Sequence, residues 1–206
     1  MRTVGSLISI LIILIFTSLV FLSYTGIETD KFNNVISEQI KKIDPDVEST
    51  LDKIKIKFDV KSLNFYLATT NPEIKYKSAY IPLKEIKVFI GLKSLLGGNF
   101  LINKTLIDTP EINITQLKKL VSKSKPSNFT SFIQNNISEG FVKSKIELYF
   151  KKNFELKNYK FDGYLKKLSG KFLDKIEITD TSLIFSINPN NGSLNDIVSN
   201  INKIQI

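Results

Sequence analysis

The feature that most constrains this chain is an uninterrupted apolar run from Val4 to Leu22, VGSLISILIILIFTSLVFL, which contains no charged residue and no proline. As an α-helix rising about 1.5 Å per residue it would be about 28 Å long, close to the roughly 30 Å hydrocarbon thickness of a bilayer. Its many Leu, Ile, Phe and Val residues each favour insertion by about 0.3 to 0.6 kcal/mol, which outweighs Ser9, Thr17 and Ser18. The run therefore predicts a transmembrane helix that tethers the rest of the chain.

A cleaved secretory signal is the competing interpretation, because the run begins close to the amino terminus and follows the basic Arg2. Signal sequences usually have an apolar region of about 7–15 residues that ends in small residues. This run is longer and exits through residues 23–25, Ser-Tyr-Thr, which favours an uncleaved anchor. Arg2 before the run and the acidic Glu28 and Asp30 after it favour an amino terminus in the cytoplasm and an exported main domain.

Composition narrows the possible functions. The 206 residues include no Cys and no His, which removes disulfides, thiolate zinc sites and every Ser–His or Cys–His nucleophile arrangement. We expect no enzyme, no metal and no cofactor. The formal net charge is +9, but Arg2 is the only arginine, and arginine is the preferred reader of phosphates and guanine. We therefore expect the lysines to lie on solvated faces of strands and not to form a nucleic-acid site. A secondary interpretation is that they attract the protein to anionic lipid headgroups.

After the anchor the sequence predicts a helix and then many strands. Asp30 is a candidate N-cap, Asp44-Pro45 is a stop, and the apolar positions between them share one helical face: Phe32, Val35, Ile36, Ile40 and Ile43. From Leu51 apolar residues alternate with lysines, which is typical of half-buried strands. The same period of two returns in 63–67, 86–92 and 142–150. Further strands are predicted over 100–107, over 154–161, where the facing is less clear, and over 176–187, and Asn190-Asn191-Gly192 is a strong turn signal. Ile112 and Ile114 predict a further short strand, and Thr115 and Ser127 are candidate caps of two short helices.

The predicted fold is mainly β with a few short helices: an amino-terminal transmembrane helix followed by an extended, curved antiparallel sheet. The expected organisation is a transmembrane anchor (1–25), an amphipathic helical connector (26–50) and a β-rich domain (51–206). The domain ends on apolar residues, which predicts a sheet that is incomplete at its carboxyl-terminal end. Whether the apolar faces pack as a closed sandwich or line an open trough stays undecided, because the period is the same in both.

The order of the predicted elements and several short sequence segments resemble the amino-terminal region of the AsmA-type family of bridge-type lipid transfer proteins. The similar segments lie at the turns and strand starts: Asn71-Pro72-Glu73, Ile81-Pro82, Leu92 to Ile102, Thr109 to Ile112, Phe161 to Leu165 and Ser169-Gly170. The resemblance implies a single-pass protein of the bacterial inner membrane with its main domain in the periplasm. It also implies a trough-like β-groove that conducts phospholipid, or another acyl lipid, toward the outer membrane during envelope biogenesis.

The candidate lipid-binding residues are the apolar positions of the strongest alternating strands: Ile54, Ile56, Phe58, Leu63, Phe65, Leu67, Ile86, Val88, Ile90, Ile146, Leu148 and Phe150. Ordinary core packing is the competing interpretation for each of them. Two other functions remain open. One is an LptC-like bitopic tether in lipopolysaccharide export, and the other is an envelope-assembly factor that binds a protein partner by strand addition.

Overall fold

The computed structural model describes residues 2–51, 53–91, 101–151, 155–172, 175–202 and 204–205. Its helices are α1 (Arg2–Tyr24), α2 (Asn33–Ile43), α3 (Ile114–Val121) and α4 (Asn128–Asn136). Its strands are β1 (Ile27–Thr29), β2 (Val47–Thr50), β3 (Ile54–Asp59), β4 (Asn64–Thr70), β5 (Glu73–Tyr76), β6 (Ala79–Ile81), β7 (Glu85–Ile90), β8 (Ile102–Asp108), β9 (Ile112–Asn113), β10 (Ile137–Phe150), β11 (Leu156–Phe172), β12 (Ile176–Ile187), β13 (Gly192–Ile201) and β14 (Ile204–Gln205). The predicted strand positions Leu92, Phe100 and Phe154 lie outside the described residues.

Helix α1 contains the whole predicted span. Val4–Tyr24 has a mean hydropathy of 2.7, and its most apolar window is 0% buried against the rest of the chain. The hydroxyls of Ser9, Thr17 and Ser18 donate to carbonyl oxygens four residues earlier at 3.0, 2.8 and 2.8 Å. These polar atoms are thus satisfied inside the helix and need no water. The chain therefore has an amino-terminal helix that is long and apolar enough to cross a membrane.

The predicted connector, 26–50, is helical only in α2, and strands β1 and β2 flank that helix. These strands form because distant residues pair with them: Ile27 lies opposite Ile56 in β3, and Val47 lies opposite Tyr76 in β5. The sequence of a strand that is only three or four residues long carries little sign of such long-range pairing, so β1 and β2 were not predicted.

The ends of α2 agree only in part with the predicted caps. Phe32 occupies the N-cap and makes no side-chain hydrogen bond to the helix, so the Asp30 carboxylate is not the cap. Instead the backbone carbonyl of Asp30 accepts a hydrogen bond from the Asn33 N–H at 3.0 Å. The predicted stop is confirmed, since the backbone of Asp44 is extended before Pro45. The predicted face continues in Ile36 and Ile40; the side chains of Val35 and Ile43 lie outside those described.

The main sheet is antiparallel and has eleven strands among the described residues. Its order is β1-β3-β4-β7-β8-β10-β11-β12-β13-β14, with β9 paired to β10. A second sheet has the order β2-β5-β6. The predicted fold class, a mainly β chain with an apolar amino-terminal helix before a large antiparallel sheet, is confirmed.

The main core lies between one face of the sheet and α2. Leu51, Ile54, Leu67, Val88 and Ile90 are buried there, and Phe32, the N-cap of α2, and Ile36 within α2 pack against them. Leu51 and the three-stranded sheet approach the same face, because Ile74 of β5 lines the space beside Leu67. The strands β3, β4, β7 and β8 are therefore covered on their apolar side.

A second, smaller core joins α3 and α4 to the start of β10. Ile114, Ile133 and Ile137 are buried, and Leu168 of β11 packs against them. The predicted strand at Ile114 is wrong, because Asn113 accepts a hydrogen bond from the Gln116 N–H at 2.8 Å and thereby caps α3. Asn113, not Thr115, is therefore the N-cap.

The Ser127 cap of α4 is confirmed. Its hydroxyl oxygen accepts from the Thr130 N–H at 3.1 Å, and the Thr130 hydroxyl oxygen accepts from the Ser127 N–H at 2.8 Å. This reciprocal pair forms a capping box.

Candidate functional site

The candidate site is the apolar face of the main sheet, meaning the side on which most apolar strand residues lie. Directly opposed residues of an antiparallel pair share one face, so the register traces this face from strand to strand. One row of direct partners crosses five strands, from β7 to β12: Ile86, Ile107, Ile146, Phe161 and Ile187. A second row crosses seven strands, from β1 to β11: Ile27, Ile56, Leu67, Val88, Thr105, Leu148 and Tyr159. The apolar face is therefore continuous across most of the sheet.

Most of the predicted residues lie on this face. The two rows contain Ile56, Leu67, Ile86, Val88, Ile146 and Leu148. Phe58, Phe65 and Ile90 form a third row of direct partners, and the Phe58 and Phe65 ring centroids are 5.1 Å apart. Ile54 is 1% exposed in the core, and Phe150 lines the cavity described below.

Leu63 is the exception among the predicted residues. It precedes β4, has a left-handed backbone with φ of 52° and is 73% exposed. Val60 is also exposed, at 57%, because the chain turns back between β3 and β4 over residues 60–63. The alternation changes phase in this turn, from the even positions 54–60 to the odd positions 63–67, so Val60 and Leu63 do not belong to one strand.

A cavity of about 260 Å³ lies at the centre of the apolar face. The wall is almost purely apolar and includes Leu67, Ile86, Val88, Ile90, Leu148 and Phe150 from the predicted set. Ile36 and Ile40 of α2 close it from the opposite side. A cavity of about 150 Å³ with a comparable lining stays dry and binds benzene, so this one suits a hydrocarbon group and not a polar one.

Several lining residues were missed in the sequence analysis. Ile102 and Ile107 lie in the predicted strand 100–107, but a period of two would place them on opposite faces. A register irregularity beside Ile102 brings both residues to the cavity. Ile74 comes from the second sheet and Leu51 precedes β3, so only the tertiary fold brings them to the cavity.

The far end of the apolar face, in β12 and β13, is open. Ile187 is 44% exposed and Leu194 is 58% exposed. Phe185, two residues before Ile187 on β12, lies directly opposite Leu194 of β13 and Gly163 of β11. A Cβ at Gly163 would be 2.6 Å from the Phe185 ring, so a glycine is required where this ring crosses β11.

The opposite face of the sheet is polar and carries paired charges. Lys104 and Glu147 form an ion pair at 2.8 Å, and the Tyr149 hydroxyl donates to Glu147 at 2.6 Å. Burial raises the pKa of the Glu147 carboxyl, but the hydrogen bonds from Lys104 and Tyr149 outweigh it, and the pKa is lowered below its usual value. Burial likewise lowers the pKa of Lys104, but the contact with Glu147 outweighs it and raises the pKa. This part of the polar face therefore carries charges that are paired with one another.

Helix α1 joins the apolar face almost directly. Gly26 separates α1 from β1 and has a φ of 73°, and a Cβ there would lie 2.9 Å from the Ile56 carbonyl oxygen. The Lys57 ammonium donates to the carbonyl oxygen of Tyr24, at the end of α1, at 3.2 Å. Ile27, the next residue, already belongs to the apolar face. The joint thus brings one edge of that face next to the end of the predicted span.

Among the described residues no group of three or more Asp and Glu side chains lies close enough to hold a metal ion. No protein-family model, curated protein or solved structure matches this chain. Its functional interpretation therefore depends on its own geometry: an apolar amino-terminal helix followed by an antiparallel sheet with one continuous apolar face.

Proposed function

We propose that α1 anchors this protein in the bacterial inner membrane and that its sheet, in the periplasm, shields phospholipid acyl chains on their way toward the outer membrane. In this proposal the chain is a relative of the AsmA-type family, in which an anchor, a helix and an antiparallel sheet follow in the same order. No bond is made or broken, so the function needs no catalytic group.

The observation that carries the proposal is the continuity of the apolar face from Ile27, beside the anchor, to Ile187. An acyl chain leaving a bilayer exposes about 0.8 kcal/mol of unfavourable apolar surface per CH₂, and an apolar strand face can cover it. Headgroups would stay at the open rim, because burying a phosphate without partners is costly. The cavity behind α2 supplies a place where part of one chain can be fully enclosed.

A second candidate, an assembly factor or tether that binds by strand addition, is favoured by one specific observation. Strand β14 pairs only with Asn200 and Ile201 of β13. Among the described residues, the outer edge of β13 from 192 to 199 has no partner strand. An edge of this kind can accept a strand from another protein.

Site-specific photocrosslinking in the full-length protein tests the lipid proposal. Val88 faces the cavity, whereas its neighbour Phe89 faces the polar side, where its ring lies 5.3 Å from Tyr66. A photoreactive residue at Val88 is expected to capture phospholipid, detected by mass spectrometry, and the same residue at Phe89 is expected to capture none. Absent lipid adducts at both positions would argue for a packed core without lipid, and equal adducts would mean that lipid capture does not depend on the apolar face. Capture of a protein by a third photoreactive residue, placed on the outer edge of β13, would support the second candidate.

A further inference from the structure

The segment that contains α3 and α4 carries positive charges and has no acidic residue of its own. Between Glu111 and Glu139 there is no acidic residue, and the four charged residues are Lys118, Lys119, Lys123 and Lys125. Lys119, Lys123 and Lys125 are exposed. We call residues 112–138 the basic segment.

Several lysines on the main sheet are placed differently. Lys87, Lys104 and Lys160 form ion pairs with carboxylates of the same sheet at 3.0, 2.8 and 2.6 Å. None of the lysines of the basic segment forms an ion pair with a described residue. Their field therefore extends into solvent, within a screening distance of about 10 Å.

An exposed aromatic residue lies in the same segment. Phe129, in the first turn of α4, is 67% exposed, although Ile133, one turn later on the same helix, is 6% exposed and fixes α4 to the sheet. Phe132 is 38% exposed and contacts the Phe172 ring at 5.4 Å, so the helix presents one free ring and one half-packed ring. A short segment that combines an exposed apolar ring with lysines outside ion pairs is typical of surfaces that lie at the boundary between headgroups and acyl chains.

We propose that the basic segment binds the surface of a bilayer that contains anionic phospholipid, with Phe129 inserted below the headgroups and the lysines among the phosphates. Each lysine near such a surface adds to the attraction. A nucleic acid is disfavoured because the segment has no arginine, and a protein hot spot because it has no tryptophan, tyrosine or arginine. The inference is independent of lipid transport, since it concerns neither the apolar face nor the cavity.

The absence of tryptophan from the chain allows a direct test. The full-length Phe129→Trp variant is reconstituted through α1 into vesicles of phosphatidylcholine alone, or of phosphatidylcholine and phosphatidylglycerol in equal parts, and vesicles of the same composition are then added outside. Acyl-brominated lipid, placed in either membrane, reports which bilayer the ring enters. We expect a blue-shifted, quenched emission only with phosphatidylglycerol, weakened by salt.

Ile184→Trp is the matched control, because Ile184 is 47% exposed on the polar face of β12 and should not be quenched. Replacing the four lysines of the basic segment by Gln is expected to reduce binding at least about tenfold. The same replacement of four lysines on the sheets is expected to reduce it less than about threefold, and the control set is Lys75, Lys143, Lys145 and Lys157.

Three results would overturn the proposal. The first is no quenching from either membrane. The second is equal quenching in phosphatidylcholine alone, and the third is a response of the Phe129→Trp emission to polyglutamate or single-stranded DNA but not to vesicles.

Discussion

The two halves of the apolar face differ in how they are covered. In the near half, formed by β3, β4, β7 and β8, Ile54 and Ile90 are 1% exposed. In the far half, formed by β10 to β13, Ile187 and Leu194 are 44% and 58% exposed. The strands of both halves show the same alternation of apolar and polar residues, so the alternation sets the face but not the burial. Burial is decided by α2 and the small sheet, which lie over the near half.

This difference separates two roles. Buried residues of the near half should contribute most of the folding free energy, because their removal leaves a cavity as well as lost apolar contact. Exposed residues of the far half should contribute little to folding and remain free to contact a ligand. Substitutions in matched positions of the two halves test this division.

The largest effect is expected in the near half. Ile90→Ala should lower the free energy of unfolding by about 2–5 kcal/mol, because Ile90 is fully buried against Leu51 and Leu67. Leu194→Ala in the far half should lower it by less than about 0.5 kcal/mol. Urea denaturation of the full-length protein in detergent, followed by circular dichroism of the sheet, measures both. Similar losses at the two positions would contradict the division.

A smaller effect is expected from the glycines of the far half. Gly163→Ala should cost about 1–3 kcal/mol, because the new Cβ would lie 2.2 Å from the Lys143 carbonyl oxygen and 2.6 Å from the Phe185 ring. Gly192→Ala, at the start of β13, is the control, because no atom lies within 4 Å of its Cβ position. The same urea titration applies. A neutral Gly163→Ala would mean that the far half of the sheet is loosely packed even between its strands.

The sequence predicted those parts of the fold that local chemistry determines. The hydropathy of residues 4–22 predicted α1, alternation predicted β3, β7 and β10, and Ser127 predicted the start of α4. The exposure of Leu63 in the turn before β4 was not predicted. The phase of the alternation changes between Val60 and Leu63, which marks a break, but it does not show on which side of the break Leu63 lies. Strands β2, β5 and β6 are three or four residues long, and their pairing depends on residues far away in the chain.

The candidate site was predictable as a face but not as a cavity. Alternation identified Ile86, Val88 and Leu148 as members of one side of the sheet. Which of them are enclosed depends on where α2 lies, and an amphipathic helix can cover any apolar strand face. The same limit explains why a closed sandwich and an open trough could not be distinguished, since here the near half is covered and the end of the far half is open.

The ion pair between Lys104 and Glu147 joins the two halves, because it connects β8 to β10 on the polar face. Its removal tests how strongly the halves depend on each other. Glu147→Gln should lower the free energy of unfolding at neutral pH by about 1–2 kcal/mol. The folded-state pKa of Glu147 is lowered, so its contribution is present above the unfolded value of about 4.3 and is lost as the pH falls through the folded pKa.

Urea titrations from pH 7 to pH 3 should therefore show the wild type and Glu147→Gln converging in acid. A constant difference between them would mean that the substitution acts through packing. Two separate transitions in the variant would show that the halves unfold independently once this contact is weakened.

The smallest effect on folding, and the sharpest distinction in function, is expected from a pair of neighbouring positions in β12. Ile187 is 44% exposed on the apolar face, and Ile184 is 47% exposed on the polar face. Asp at either position should lower the free energy of unfolding by a similar amount, about 1 kcal/mol, because the two side chains are similarly exposed and Asp is disfavoured in strands. If acyl chains move over the far half, Ile187→Asp should reduce the phospholipid that copurifies with the protein, measured by mass spectrometry, and Ile184→Asp should leave it unchanged. Equal lipid content in both variants would confine lipid to the covered cavity, and the open end of the far half would then be a surface for protein strands.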